Sequence, residues 1–284
     1  MEASQAAGDA QALLWNGAAG QAWVQAQATL DGIFAPFAEL LVEAVDRSDA
    51  RRVLDVGCGT GGTTLAIARR LGAGGRCAGV DISAPMIAAA RLRAEREGVP
   101  ADFVCADAQA HAFAPGSVDA IVSRFGVMFF GDPVAAFANL RRAAAPGARL
   151  HCIAWRSATE NPFMTAAERA AAPLLPGLPA RRADAPGQFA FADPQRVRHV
   201  LERGGWRDVH VRALDVACAL PEAGLRDYLR LLGPVGLALR QADERTRSRV
   251  VETVRAAFAP YVHGAQVRFD AACWWIGAHA PDVA

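Results

Sequence analysis

Lysine is absent from this 284-residue chain, and all 30 of its basic residues are arginines. With 29 acidic residues the formal net charge is +1, so no charge excess favours nucleic acid as a partner. There is no run of about 18 apolar residues that would read as a membrane span. The alanine-rich, polar start lacks the charged and apolar blocks of a signal peptide. The six cysteines (Cys58, Cys77, Cys105, Cys152, Cys218, Cys273) are scattered and form no Cys-x-x-Cys pair. They read as buried, reduced thiols of a cytoplasmic protein, not as metal ligands or a disulfide framework. No acidic cluster suggests a catalytic metal. Tyrosine is scarce, with Tyr228 and Tyr261 alone. What remains is an ordinary globular composition, 52% hydrophobic and 21% charged. It is long enough for one large core plus an insertion or cap.

One stretch organises the chain: Arg52-Val53-Leu54-Asp55-Val56-Gly57-Cys58-Gly59-Thr60-Gly61-Gly62. An apolar, β-rich run ends in a glycine cluster, and a helical pattern follows over 63–71. Glycine permits a sharp turn with positive φ and close approach of a ligand to the main chain. The helix then begins with unpaired N–H groups aimed at the turn. A second strand over 76–80 ends at Asp81, where a carboxylate is placed to accept both hydroxyls of a ribose. Asp81 could instead cap the next helix, but Ser83 suits that role better.

Two glycine patterns fit. Gly57, Gly59 and Gly62 satisfy the G-x-G-x-x-G of dinucleotide binders, and Gly57, Gly59 and Gly61 satisfy D-x-G-x-G-x-G headed by Asp55. Asp55 favours the second. A carboxylate two residues before the first glycine would repel a pyrophosphate. It suits a cofactor that carries an ammonium and a sulfonium and no phosphate, as S-adenosylmethionine (SAM) does. The other role open to Asp55 is to hydrogen-bond the glycine loop without touching a ligand.

With these motifs in place, the segments 53–62, 80–86 and 103–108 resemble the successive cofactor-binding motifs of class I SAM-dependent methyltransferases. The chain is similar to small-molecule methyltransferase-domain proteins related to the ubiquinone and menaquinone C-methyltransferases. The resemblance is good over about 15–155 and general elsewhere. It implies that Asp107 accepts a hydrogen bond from the adenine amine, with the Ala108 N–H facing a ring nitrogen. It also implies an N-terminal helical lid over the cofactor. Trp15 and Trp23 fall there, either lining the site or packing the lid on the core.

The chain in order supports an α/β fold. Residues 1–10 read as disordered and 11–45 as helical, with Ala35-Pro36-Phe37 starting a further helix. From 51 to 155 strands and helices alternate. The strands fall at 52–56, 76–80, 102–105, 118–123 and 149–155, and the helices at 63–71, 84–97 and 133–144. This rhythm argues for a parallel sheet with helices on both faces, binding ligands at the carboxyl ends of its strands. Residues 156–194, rich in proline and glycine, read as an inserted lid or substrate wall. Further strands are expected at 206–216 and 267–278, with helices between them over 221–240 and 244–260. By resemblance the whole is a Rossmann-like, seven-stranded, mostly parallel sheet. The domain plan is an N-terminal lid over 1–50 and a methyltransferase domain over 51–284, with cap segments at 156–194 and 221–262.

The expected cofactor-binding residues are Asp55, Gly57, Cys58, Gly59, Thr60, Gly61, Asp81, Ile82, Met86, Asp107, Ala108 and Ser123. Ile82 and Met86 are apolar contacts for the adenine; core packing is the other role open to Met86. The loop Ser123-Arg124-Phe125-Gly126-Val127-Met128-Phe129-Phe130 is unusually aromatic. Phe125, Met128 and Phe129, with Trp15 and Trp23, would wall the space beside the transferable methyl. Arg124 has two readings: an anchor for a carboxylate, of the substrate or of the cofactor, or a salt bridge to a neighbour. Methyl transfer to an activated carbon needs positioning and a dry site more than it needs a base. His111, near the adenine end, is the candidate base by location, and no residue is assigned as catalytic.

The function expected is methyl transfer from SAM to a small, fairly apolar metabolite, with oxygen, nitrogen, sulfur and carbon all open as acceptors. A homodimer is compatible with it. Two alternatives stand beside it: an NAD(P)-dependent oxidoreductase, disfavoured by Asp55 and by the lack of any Tyr-x-x-x-Lys pair, and a non-catalytic SAM-binding subunit. There is no Asn-Pro-Pro-Tyr motif after the fourth strand, which departs from the DNA and glutamine N-methyltransferases.

Overall fold

The computed structural model describes residues 2–179, 181 and 185–282. Three helices come first: α1 (Glu2–Asn16), α2 (Ala18–Gln25) and α3 (Gln27–Arg47). Strand and helix then alternate through β1 (Arg52–Val56), α4 (Gly62–Leu71), β2 (Arg76–Asp81), α5 (Ala84–Glu97), β3 (Asp102–Cys105), β4 (Val118–Arg124), α6 (Pro133–Ala143) and β5 (Ala144–Trp155). The remainder is α7 (Pro162–Ala171), α8 (Pro194–Arg203), β6 (Arg207–Pro221), α9 (Leu225–Leu231), α10 (Gly233–Leu239), α11 (Glu244–Ala257), β7 (Val262–His263) and β8 (Gln266–His279).

One sheet runs in the order β3-β2-β1-β4-β5-β8-β6, with the two-residue β7 hydrogen-bonded to β8. The pairs from β3 to β5 are parallel, and β8 and β6 add on antiparallel. This is the expected seven-strand path plus one short extra rung. Val53, Leu54, Asp55 and Val56 are all buried, so both faces of β1 are covered by other layers. Helix starts follow local chemistry. Ser83, Asp132, Asp193 and Asp243 cap α5, α6, α8 and α11 through their side chains, three of them ahead of a proline in the first turn. No helix of the described residues is long and apolar enough to cross a membrane.

A cap is assembled from two separate stretches of chain. Helix α7 follows β5, α9 to α11 lie between β6 and β8, and these four helices pack on one another. Phe163 of α7 stacks flat on Phe269 of β8, ring centres 3.7 Å apart. Asn161, fully buried, fastens the start of α7 to the sheet. Its amide donates to the Ala272 carbonyl and accepts from the Ala272 N–H, both at 2.9 Å.

Several expectations are corrected. Residues 2–10 are helical within α1, not disordered, because alanine, glutamine and glutamate sustain a helix despite the lack of apolar anchors. Pro36 lies inside the 21-residue α3 and does not start a helix. Burial of Leu30, Ile33, Phe34, Phe37 and Leu41 on one face outweighs the single helix bond that proline forgoes. Strand β5 begins at Ala144, five residues early, by pairing Ala144 with Val118 across a bulge. The helix expected over 221–240 is two, α9 and α10, broken where Leu232 is extended and Gly233 has φ +71°. Positions 180 and 182–184 of the expected 156–194 insertion lie outside the described residues.

Candidate active site

The turn after β1 is set by Gly57, Gly59 and Gly61, with φ of +69°, +55° and +82°. Gly57 and Cys58 both donate their N–H groups to the Val80 carbonyl, which draws the turn over the end of β2. There Asp81 completes the arrangement. Its Oδ2 accepts the Gly59 N–H at 2.8 Å and its Oδ1 accepts the Ser83 N–H at 2.9 Å. Burial raises the Asp81 pKa above the usual carboxylate range, and hydrogen bonds from the Ser83, Gly59 and Ile82 backbone oppose that shift.

A cavity of about 410 Å³ opens above this turn. Gly57, Gly59, Asp81, Ile82, Met86, Asp107 and Ala108 line it, as do Trp15, Trp23, Arg124, Phe125, Met128 and Phe129. Asp55, Cys58, Thr60, Gly61 and Ser123 do not. Asp55 lies behind the turn, 1% exposed, and accepts the Thr64 hydroxyl at 2.7 Å. Burial pushes its pKa up to about 6 against the pull of that hydrogen bond. The buried Ser123 hydroxyl donates to the Val56 carbonyl, tying β4 to β1.

Asp107 spends Oδ1 on the Gln109 N–H in a tight turn. The following loop is held from below by Asn139, whose amide donates to the Ala108 and His111 carbonyls. His111 is outside the cavity lining, with its ring edge-on to Phe113 at 4.7 Å. No histidine lines the cavity among the described residues, and no cluster there could hold a metal ion.

The walls are aromatic. Trp15 meets Trp23 and Phe129 edge-on, at 5.8 and 5.1 Å between ring centres. Trp23 stacks on Phe34, and Phe125 stacks on Trp155 at 4.6 Å. The N-terminal helices are latched to the β2–α5 loop. Asn16 donates to the Ile82 carbonyl and accepts the Ala84 N–H, and the Ser83 hydroxyl donates to the Trp15 carbonyl. The cap closes the other side with Phe163, Met164, Tyr228 and Phe258. Burial keeps the Tyr228 hydroxyl protonated far above its ordinary range.

Sequence reasoning missed Phe34, Gly126, Trp155 and Phe163 as lining residues. Phe34 falls on the apolar face of a helix, which reads as core. Trp155 was visible as the last residue of a strand whose carboxyl end faces the cavity, a position that should have been read as site-facing.

The fold and the site define a class of protein. Residues 53–147 match the family model of the methyltransferase domain. That segment is similar to the methyltransferase domain of quinone methyltransferases among the relatives that follow. The chain is 40% identical over 100 residues to a demethylmenaquinone methyltransferase of Thermus thermophilus, covering 35% of this chain and 45% of that one. It is 29% identical over 185 residues to the corresponding enzyme of Renibacterium salmoninarum, covering 62% and 75%. It is 28% identical over 220 residues to the nocamycin O-methyltransferase of Saccharothrix syringae, covering 71% and 79%. The chain thus spans less than half the length of the first of these relatives and about three quarters of the other two. Among solved structures the fold is similar to the YcgJ protein of Bacillus subtilis, with TM-score 0.56 at 16% identity over 87% of this chain and 98% of that one. It is also similar to the [4+2]-cyclase SpnF, with TM-score 0.53 at 20% identity over 87% and 81%.

Proposed function

We propose that this chain transfers a methyl group from SAM to a small, fairly apolar metabolite. The observation that carries this reading is Asp81. A buried carboxylate, fixed by two backbone N–H groups, stands at the tip of the strand beside a glycine turn and faces a cavity. Each of its oxygens keeps a second lone pair for a ribose hydroxyl.

The residues present fit the cofactor. Gly57 and Gly59 leave the floor of the cavity open to close approach, Ile82 and Met86 would flank the adenine, and Asp107 would accept its exocyclic amine. Asp55, Cys58, Thr60, Gly61 and Ser123 serve by shaping the turn from behind. SAM supplies a methyl carbon already activated by its sulfonium. The chain's part is to hold that carbon against the acceptor and to exclude water. The aromatic walls support an apolar acceptor, since stacking and edge contacts suit a flat carbon skeleton. We take residues 1–50 as a lid and the segments 156–194 and 221–262 as the cap. A cytoplasmic setting is supported by six free cysteines without a disulfide.

Calorimetric titration with S-adenosylhomocysteine and, separately, with NADH tests the reading. Binding of the first alone, lost in Asp81→Ala, is expected. Binding of NADH, or of neither, overturns it. Methyl transfer is then read with labelled SAM against a panel of apolar phenols, amines, thiols and enols.

A further inference from the structure

Strand β1 lies between β2 and β4, and its turn has a charged residue on each side. Val56 is level with Val80, and Asp55 with Val122. One step along the first pairing and two along the second bring Gly57 level with both Asp81 and Arg124. Adjacent strands lie about 4.8 Å apart, so the ends of β2 and β4 stand about 10 Å apart across the glycine turn. That distance is close to the reach of an extended amino-acid arm from a ribose to its carboxylate.

Arg124 is a cation with unspent capacity. It lines the cavity, and its guanidinium carbon sits 5.3 Å from the Phe34 ring centre. Among the described residues it makes one hydrogen bond, from Nη1 to the Phe34 carbonyl at 3.3 Å, and no ion pair. A guanidinium has five N–H donors. The nearest acids act on it only at longer range, and each is engaged elsewhere. Asp31 pairs with Arg93 at 2.6 Å and accepts from Gln27, and Asp55 holds Thr64. Burial opposes the charged form of Arg124, and the fields of Asp31 and Asp55 offset that cost only in part, so a further anion beside it would be favourable. Arg124 also lies against the glycine turn: Nη2 is 3.6 Å from where a Cβ on Gly62 would stand. None of its partners belongs to the cap.

We propose that Arg124 binds the α-carboxylate of the cofactor's methionyl arm, so that Asp81 and Arg124 hold the two ends of the cofactor across Gly57. This rests on the methyltransferase reading above. A carboxylate on the acceptor is the competing source of the same chemistry, and the test separates the two.

S-adenosylhomocysteine and 5′-methylthioadenosine share the adenosine and the thioether, but the second lacks the amino-acid arm. Calorimetric titration of the wild type and of Arg124→Met with both ligands reads the role directly. Arg124→Met should weaken S-adenosylhomocysteine at least about tenfold, the scale of a charged hydrogen-bond pair, and leave 5′-methylthioadenosine within about threefold. Arg124→Lys should restore part of the loss. Equal losses for both ligands would mean that Arg124 only supports the wall. An unchanged affinity for S-adenosylhomocysteine, with a raised KM for an acidic acceptor, would assign the site to the acceptor. Either result overturns the proposal. If Arg124→Met does not fold, the wild type still decides: S-adenosylhomocysteine should bind at least about tenfold tighter than its decarboxylated analogue. Failure of the wild type to bind S-adenosylhomocysteine at all would sink the methyltransferase reading instead.

Discussion

Gly57 and Gly126 cross at backbone contact. A Cβ on either would lie within 2.6 Å of the other's Cα. The turn after β1 and the loop after β4 therefore share one space, and glycine is required on both sides of it. Gly126→Ala should cost about 1–3 kcal/mol of stability through forced backbone movement. It should also weaken S-adenosylhomocysteine binding, because the Val56–Gly57 backbone that the new methyl displaces belongs to the cavity lining. Denaturant melts and calorimetry on one preparation check both. An alanine variant of wild-type stability would contradict the contact.

Asp55 should make the fold less stable as pH rises. Its carboxyl titrates at about 6 in the folded chain, against an ordinary aspartate value of 3.8. Between those values the folded state holds a proton that the unfolded state has released, so stability falls with rising pH. Asp55→Asn keeps an acceptor for Thr64 and removes the titration. Relative to that variant, the wild type should lose about 1 kcal/mol between pH 5 and pH 8. Parallel stability curves would rule this out.

His151 acts with the opposite sign. Both ring nitrogens are buried without a partner among the described residues, and the ring lies 5.6 Å from that of Trp275. Burial, aided by Arg149, His210, His279 and Arg47, holds its pKa down at about 4. Below about 6.5 the unfolded chain takes a proton that the folded chain refuses, so stability is lost as pH falls from there toward 4. His151→Leu should flatten the acid limb by about 2 kcal/mol between pH 7 and pH 5. Urea midpoints at the two pH values decide it.

Asn16 is the latch between the N-terminal helices and the β2–α5 loop. Asn16→Ala removes both bonds at an exposed site. It should speed release of S-adenosylhomocysteine roughly tenfold while shifting stability by no more than about 1 kcal/mol. Stopped-flow tryptophan fluorescence, with Trp15 and Trp23 as reporters, measures the release rate. An unchanged rate would show that the helices do not gate the site.

The parallel half of the fold was legible because its signals are local. Apolar runs end in glycine or aspartate, and helices open on Ser83 and Asp132. The glycine turn and Asp81 needed nothing from elsewhere in the chain. The cavity's far walls were not legible, because each depends on packing between distant segments. Phe163 reads as an ordinary helix residue until Phe269, more than a hundred positions later, stacks on it. Asp55 shows a different limit. Its motif was readable, but the direction of its side chain was not, and the structure turns it toward Thr64 and away from the cavity.

Asn161 behaves as a rivet. Its amide forms a two-bonded rung with Ala272, the pattern one strand residue makes with another, so the roof of the cavity is seamed to the sheet instead of hung from it. A roof fixed in this way moves with the floor. The opposite side is joined differently: Asn16 and the Ser83 hydroxyl bond the N-terminal helices to the β2–α5 loop, and α2 packs on α5.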